Sequence, residues 1–175
     1  MIKKIFSAVI LTAMLFFAQN VFAAHNLTYQ VHVQDKGWLP AVGNGEVTGS
    51  IGKNRRLEAI VINLDSDDIE YNAHVENIGW QGWTRSGVVA GTVGEALRME
   101  AIRIRLRGRL AERYDVCYRA YVHNIGWQDW VMNGEVAGTE GRSLRMEAIQ
   151  IELVKKSDNN VRGKHDRRRY DDYAW

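Results

Sequence analysis

Two tryptophans three residues apart, with a glutamine after the first, recur in this chain: Trp80-Gln81-Gly82-Trp83 and Trp127-Gln128-Asp129-Trp130. An indole stacks on the apolar face of a sugar ring, and a side-chain amide bonds its hydroxyls. Such a set on a rigid turn suits contact with a glycan or a protein surface. Asn77 and Asn124 stand three residues before each pair, so the candidate ligand-binding residues are Trp83, Trp130, Gln81, Gln128, Asn77 and Asn124. An earlier copy, Asp35-Lys36-Gly37-Trp38-Leu39-Pro40-Ala41, keeps the first indole and has Ala41 in place of the second. A position that loses its indole while its neighbours keep their landmarks is a poor candidate for core. Trp83 and Trp130 therefore read either as exposed stacking residues or as covers packed against the barrel end or a neighbouring unit. Trp38, Trp80 and Trp127 read first as large core anchors, each admitted by the bend at Gly37, Gly79 or Gly126, with an exposed stacking platform as the alternative.

Other side chains carry chemistry of a different kind. Glu58, Glu100 and Glu147 each follow an arginine by two residues, Arg56, Arg98 and Arg145. Strict alternation places Glu100 on the same strand face as Ile102, Ile104 and Leu106, where a carboxylate needs a cationic or hydrogen-bonding partner. Three equivalent copies point to a structural role, because a glycosidase needs one asymmetric carboxylate pair. No catalytic residue is assigned. His32 and His74 occupy one repeated position and Tyr121 replaces them in the last copy, which argues against a metal ligand and for a half-buried ring. His123 and His165 join no constellation with them. Metal-binding spacing, a nucleophile elbow and a phosphate loop are all missing from the sequence, so no cofactor is expected. Cys117, the single cysteine, lies in an alternating apolar segment and reads as a small buried hydrophobe.

These residues are positioned by a unit written three times. Aligned on Trp38, Trp80 and Trp127, the match runs without a gap from nine residues before the Trp to twenty-six after it. Tyr29, Tyr71 and Tyr118 open it; Gly45, Gly87 and Gly134, then Gly49, Gly91 and Gly138, then Gly52, Gly94 and Gly141 punctuate it. Tyr71 to Val75 and Leu97 to Leu106 alternate with period two, as strands do, and the glycines between them mark turns. One such unit is too small to bury a core alone. The reading is a single all-β domain over 24–154, with units at 27–64, 69–106 and 116–153 closed about a pseudo-threefold axis. A β-prism-like arrangement is favoured by the long last strand of each unit, with a β-trefoil as the alternative. An open solenoid is less natural because no unit looks like a cap.

The string Tyr-x-Ala-His-Val-x-Asn-Ile-Gly-Trp-Gln-x-Trp, followed by Ala-Gly-Thr-x-Gly and Leu-Arg-Met-Glu-Ala-Ile-x-Ile-x-Leu, resembles the ChW repeat, the clostridial hydrophobic repeat with a Trp. The second and third units match it along nearly their whole length and the first with losses. The resemblance implies an exported bacterial surface protein that binds polysaccharides or other proteins.

The ends and the charge bound the setting. Residues 1–23 read as a signal peptide: Lys3 and Lys4, an apolar Ile5 to Phe17 too short to span a membrane comfortably, and small residues at Val21-Phe22-Ala23. The mature chain is expected to be secreted or held in the cell envelope, with no stable membrane insertion. The formal charge is +2 overall, yet nine of the 23 Lys/Arg and four of the 21 Asp/Glu lie in the leader and in 155–175. The remainder, 24–154, carries 14 against 17 and is mildly acidic, which argues against a nucleic-acid partner. The tail, 155–175, is basic, lacks apolar periodicity and reads as disordered. Function is expected to be non-catalytic binding of a polysaccharide, with protein–protein adhesion or assembly as the alternative.

Overall fold

The computed structural model describes residues 25–156. The expected signal peptide, and all but the first two residues of the expected tail, lie outside the described residues. Each unit contributes five strands. The first has β1 (Thr28–Val33), β2 (Gly37–Trp38), β3 (Val42–Gly43), β4 (Val47–Gly49) and β5 (Leu57–Asn63). The second has β6 (Ile69–Val75), β7 (Gly79–Trp80), β8 (Thr84–Arg85), β9 (Ala90–Gly91) and β10 (Met99–Leu106). A six-residue helix, α1 (Gly108–Arg113), fills the polar linker and buries Leu110. The third unit has β11 (Tyr114–Val122), β12 (Gly126–Trp127), β13 (Val131–Met132), β14 (Ala137–Gly138) and β15 (Met146–Lys155). The all-β, three-repeat expectation holds. The fold runs past residue 154, however: Lys155 ends β15, and Lys156 Nζ donates to Ala111 C=O at 2.7 Å and pairs with Asp115 at 3.3 Å.

In each unit the first and last long strands pair antiparallel, β1 with β5, β6 with β10 and β11 with β15. The first strand also carries the two short strands of its own Gly-Trp segment. The remaining strand of each sheet comes from another unit: β9 joins β5, β14 joins β10, and β4 joins β15. Every unit thus lends one short strand to the unit before it, and the first lends its strand to the third. Three five-stranded sheets are closed into a ring by this exchange.

The core is built from one side of the long strands, where Val31, Val33, Ile60, Ile62, Ile102 and Ile104 are buried. Its large anchors are Tyr29, Tyr71 and Tyr118, each with no exposed surface. Burial alone would leave their hydroxyls unsatisfied, and each hydroxyl instead stitches two units. Ile62 N–H donates to Tyr71 Oη at 3.2 Å, and that hydroxyl donates to Val88 C=O. Ile104 N–H donates to Tyr118 Oη at 3.0 Å and the hydroxyl donates to Glu135 C=O. Ile151 N–H donates to Tyr29 Oη at 3.0 Å and the hydroxyl donates to Glu46 C=O, which closes the ring. Desolvation pushes the Tyr29 hydroxyl up to about 12 and raises Tyr71 and Tyr118 for the same reason.

Two expectations are corrected here. The Gly-Trp tryptophans are not core anchors: Trp38 is 37% exposed, and Trp80 and Trp127 are half-buried on the side of the sheet away from the core. Strict alternation also fails at the glutamates. The pairing register shifts at His32/Val33, Met99/Ala101 and Tyr121/Val122, so Glu58, Glu100 and Glu147 each occupy a β-bulge. The bulge lets Met99 and Ile102 both reach the core while Glu100 turns outward beside His74.

The bulge is also where neighbouring units dock. Thr92 N–H donates to Glu58 C=O at 2.8 Å, Thr139 N–H to Glu100 C=O at 2.8 Å and Ser50 N–H to Glu147 C=O at 2.6 Å. Just before each donor sits Gly91, Gly138 or Gly49, all at positive φ, pressed so close to the bulge that a Cβ would overlap the Glu carbonyl and the following Ala Cα. Only glycine fits there.

Candidate functional site

The outward faces of the sheets carry the candidate residues. The turn before each Gly-Trp pair needs a left-handed residue, and Asp35, Asn77 and Asn124 supply it at φ 60°, 62° and 65°. That turn sends the chain back along the first strand and sets the Trp opposite the repeated aromatic position. His32 meets Trp38 edge-on at 5.4 Å between centroids, His74 meets Trp80 at 5.3 Å and Tyr121 meets Trp127 at 5.6 Å. The tyrosine swap therefore conserves a ring-edge contact, in keeping with the half-buried ring expected from the sequence.

Each unit also carries a carboxylate cluster at its bulge. Glu58 pairs with Arg56 at 2.8 Å and His32 Nδ1 at 3.0 Å, and Glu100 with Arg98 at 2.8 Å and, more loosely, His74 Nδ1 at 3.3 Å. In the third unit Tyr121 has no imidazole to offer, and His123, two positions later and just past the end of β11, takes the place, 3.0 Å from Glu147 beside Arg145 at 2.8 Å. Sequence reading left His123 without a constellation. The glutamates are 6%, 5% and 2% exposed, held by the same kinds of partner in all three units, which is the geometry of a structural brace.

Trp83 is 38% exposed and has the Arg105 guanidinium over its ring at 3.8 Å from the centroid. Arg103 lies over Trp80 at 4.1 Å, and Trp80 Nε1–H donates to Glu140 of the third unit at 3.0 Å. In the third unit one guanidinium serves both indoles: Arg119 sits 4.7 Å from Trp127 and 4.8 Å from Trp130, and donates to Gln150 at 2.9 Å. Burial there lowers the Arg119 pKa. These arginines were not singled out from sequence. Arg103 and Arg105 alternate on the last strand of the second unit, where the first has Val61 and Asn63.

The sequence candidates separate in space. Trp83 and Gln81 line one cleft of about 310 Å³ with Gly82, Thr84, Val89, Ala90 and Gly91. The Gln81 amide also clasps its own loop, accepting from Gly91 N–H at 2.7 Å and donating to Gly91 C=O at 3.2 Å. Gln128 clasps Gly138 in the same way at 2.6 and 3.1 Å. Each amide keeps one N–H and one lone pair beyond these bonds. Asn77 and Asn124 are exposed at the turn, and Asn77 does not line the cleft. Trp130 is half-buried over Arg119. Cys117 is buried. Among the described residues no group of three or more His, Cys, Asp and Glu is placed to hold a metal ion, and no helix is long and apolar enough to cross a membrane.

Fold and faces together define a class: an all-β protein of three interlocked repeats that displays indoles stacked with guanidiniums on its sheet faces. The family model described as Clostridial hydrophobic W matches residues 32–66, 74–108 and 121–155, and the chain belongs to that family. Neither the curated proteins nor the solved structures yield a match.

Proposed function

We propose that this is a secreted, non-catalytic binding module that recognises carbohydrate through the Trp83 cleft, with Trp130 marking a weaker second subsite. The observation that carries the reading is Trp83: its ring is braced from one side by Arg105 and open beside a cleft whose walls offer the Gln81 amide and the Thr84 side chain. A held indole bordered by hydrogen-bonding groups suits a sugar ring. Support for a non-catalytic role comes from the glutamates, each engaged by Arg and His. The leader-like residues 1–23 support export to the cell surface or envelope.

A second reading, adhesion to a surface protein, is favoured by Val89 in the wall of the same cleft, 46% exposed, and by the exposed Val88 and Val93 of the same loop segment. Aliphatic side chains of that kind suit a protein contact better than a sugar. Titrating soluble wall polysaccharides against intrinsic Trp emission separates the two. The carbohydrate reading expects a saturable change that Trp83→Ala abolishes and Trp130→Ala weakens. A titration that Trp83→Ala leaves intact contradicts the assignment.

A further inference from the structure

The second unit holds a charge arrangement that neither other unit has. Glu70 and Arg85 stand directly opposite each other on β6 and β8, and Arg105 faces Glu70 from β10. Arg105 donates to Glu70 Oε2 from Nε at 2.9 Å and from Nη2 at 2.7 Å, and Arg107 Nη1 lies 3.6 Å from the same oxygen. Two guanidiniums therefore reach one carboxylate, and Arg85 stands across from it on the neighbouring strand. The Arg105 hydrogen bonds first, and then the charges of Arg105, Arg107 and Arg85, hold Glu70 below the usual carboxylate range. Nearby Asp68 turns its carboxylate toward Gly108 and forms no ion pair with these arginines among the described residues. The corresponding positions are Thr28, Gly43, Asn63 and Asp65 in the first unit, and Cys117, Met132, Glu152 and Val154 in the third.

One carboxylate offsets one guanidinium, which leaves an excess of about two positive charges on a body that is otherwise mildly acidic. Arg85 and Arg107 are exposed, and Arg105 connects the cluster to the cleft because its guanidinium lies over Trp83. We propose that this cluster is an anion subsite continuous with the Trp83 cleft, and that the polymer bound there is an acidic polysaccharide. The indole takes a ring face while Arg85 and Arg107 take the pendant acid groups. Guanidiniums suit this task because their planar fork meets carboxylate and sulfate oxygens two at a time. The inference rests on the carbohydrate reading above and narrows it.

The test uses the full mature chain and two matched pairs of probes, polygalacturonate with its fully methyl-esterified form, and dextran sulfate with dextran. The expected result is binding of the acidic member of at least one pair, weakened about tenfold in the double variant Arg85→Gln/Arg107→Gln. Which pair responds tells carboxylate from sulfate. The control Lys53→Gln/Arg142→Gln removes the same charge elsewhere on the surface and is expected to bind as the parent does. Trp83→Ala is expected to lose binding as well. Equal binding within both pairs, or acidic binding that survives Arg85→Gln/Arg107→Gln, overturns the anion subsite and leaves the carbohydrate reading standing. Acidic binding lost equally in the control shows general charge attraction, and it also overturns the subsite. If Trp83→Ala binds like the parent, or none of the four polymers binds, both ideas fall.

Discussion

Glu100 keeps company with one guanidinium and one imidazole, and that company decides what its removal does. Glu100→Gln retains the shape but leaves Arg98 facing a neutral amide, and Arg98 keeps Glu76 as its other partner. We expect a loss of about 1–3 kcal/mol in urea-induced unfolding, with ligand binding unchanged in the folded protein. Unchanged stability together with altered binding contradicts the bracing role. The residue scale is also where sequence reading succeeded least evenly. Buried Cys117 and the ring at His32, His74 and Tyr121 follow from alternation. The core role given to Trp38, Trp80 and Trp127 does not, because a bulky apolar ring at a repeated position fits the core and the outer face equally well. The smaller Tyr29, Tyr71 and Tyr118 fill the core instead, since their hydroxyls can reach backbone partners in two units.

At the level of strands, two glycine positions serve two different needs. Gly94 needs only a left-handed backbone, with open space where a Cβ would stand. Gly91 needs both a left-handed backbone and the absence of a side chain, because the second unit closes on the bulge of the first there. Gly94→Ala is expected to cost about 1–2 kcal/mol of backbone strain. Gly91→Ala adds the overlap with Glu58 and Ala59, and is expected to cost at least about 1–3 kcal/mol more. Denaturant midpoints of the two variants check this, and equal losses would contradict the docking account. The spacing of these glycines was legible in the sequence as turn punctuation. Their different burdens were not, because the close approach is to a strand from another unit. The bulge was illegible for a related reason: Met-Glu-Ala-Ile satisfies a period-two reading until the partner strand shows one residue left over.

The whole molecule is a ring whose seams run through the three tyrosines, and the seams respond to pH. A hydroxyl with its folded pKa raised stays neutral in the folded chain and ionises near 10 in the unfolded chain. Stability from these groups is therefore complete below pH 10 and is lost as pH climbs toward the folded value, about 12 for Tyr29. Absorbance of tyrosinate during alkaline titration should show the three buried rings ionising together with the loss of sheet structure. Ionisation of all seven tyrosines near 10 with the sheets intact contradicts the seams. Three equal units and an all-β class were readable from the repeated string alone. The order in which units lend strands was not, since the sequence spacing of three units is the same whether each sheet is self-contained or completed by a neighbour.

The proposed grip on the ligand is Trp83, and the six indole N–H groups report on it one by one. In a ¹H–¹⁵N correlation spectrum of the labelled chain, titrated with a soluble wall polysaccharide, the Trp83 indole signal should shift most. Trp130 should follow at higher concentration, while the Trp38 and Trp127 signals stay nearly still. A stationary Trp83 signal, with the change confined to other indoles, contradicts the account.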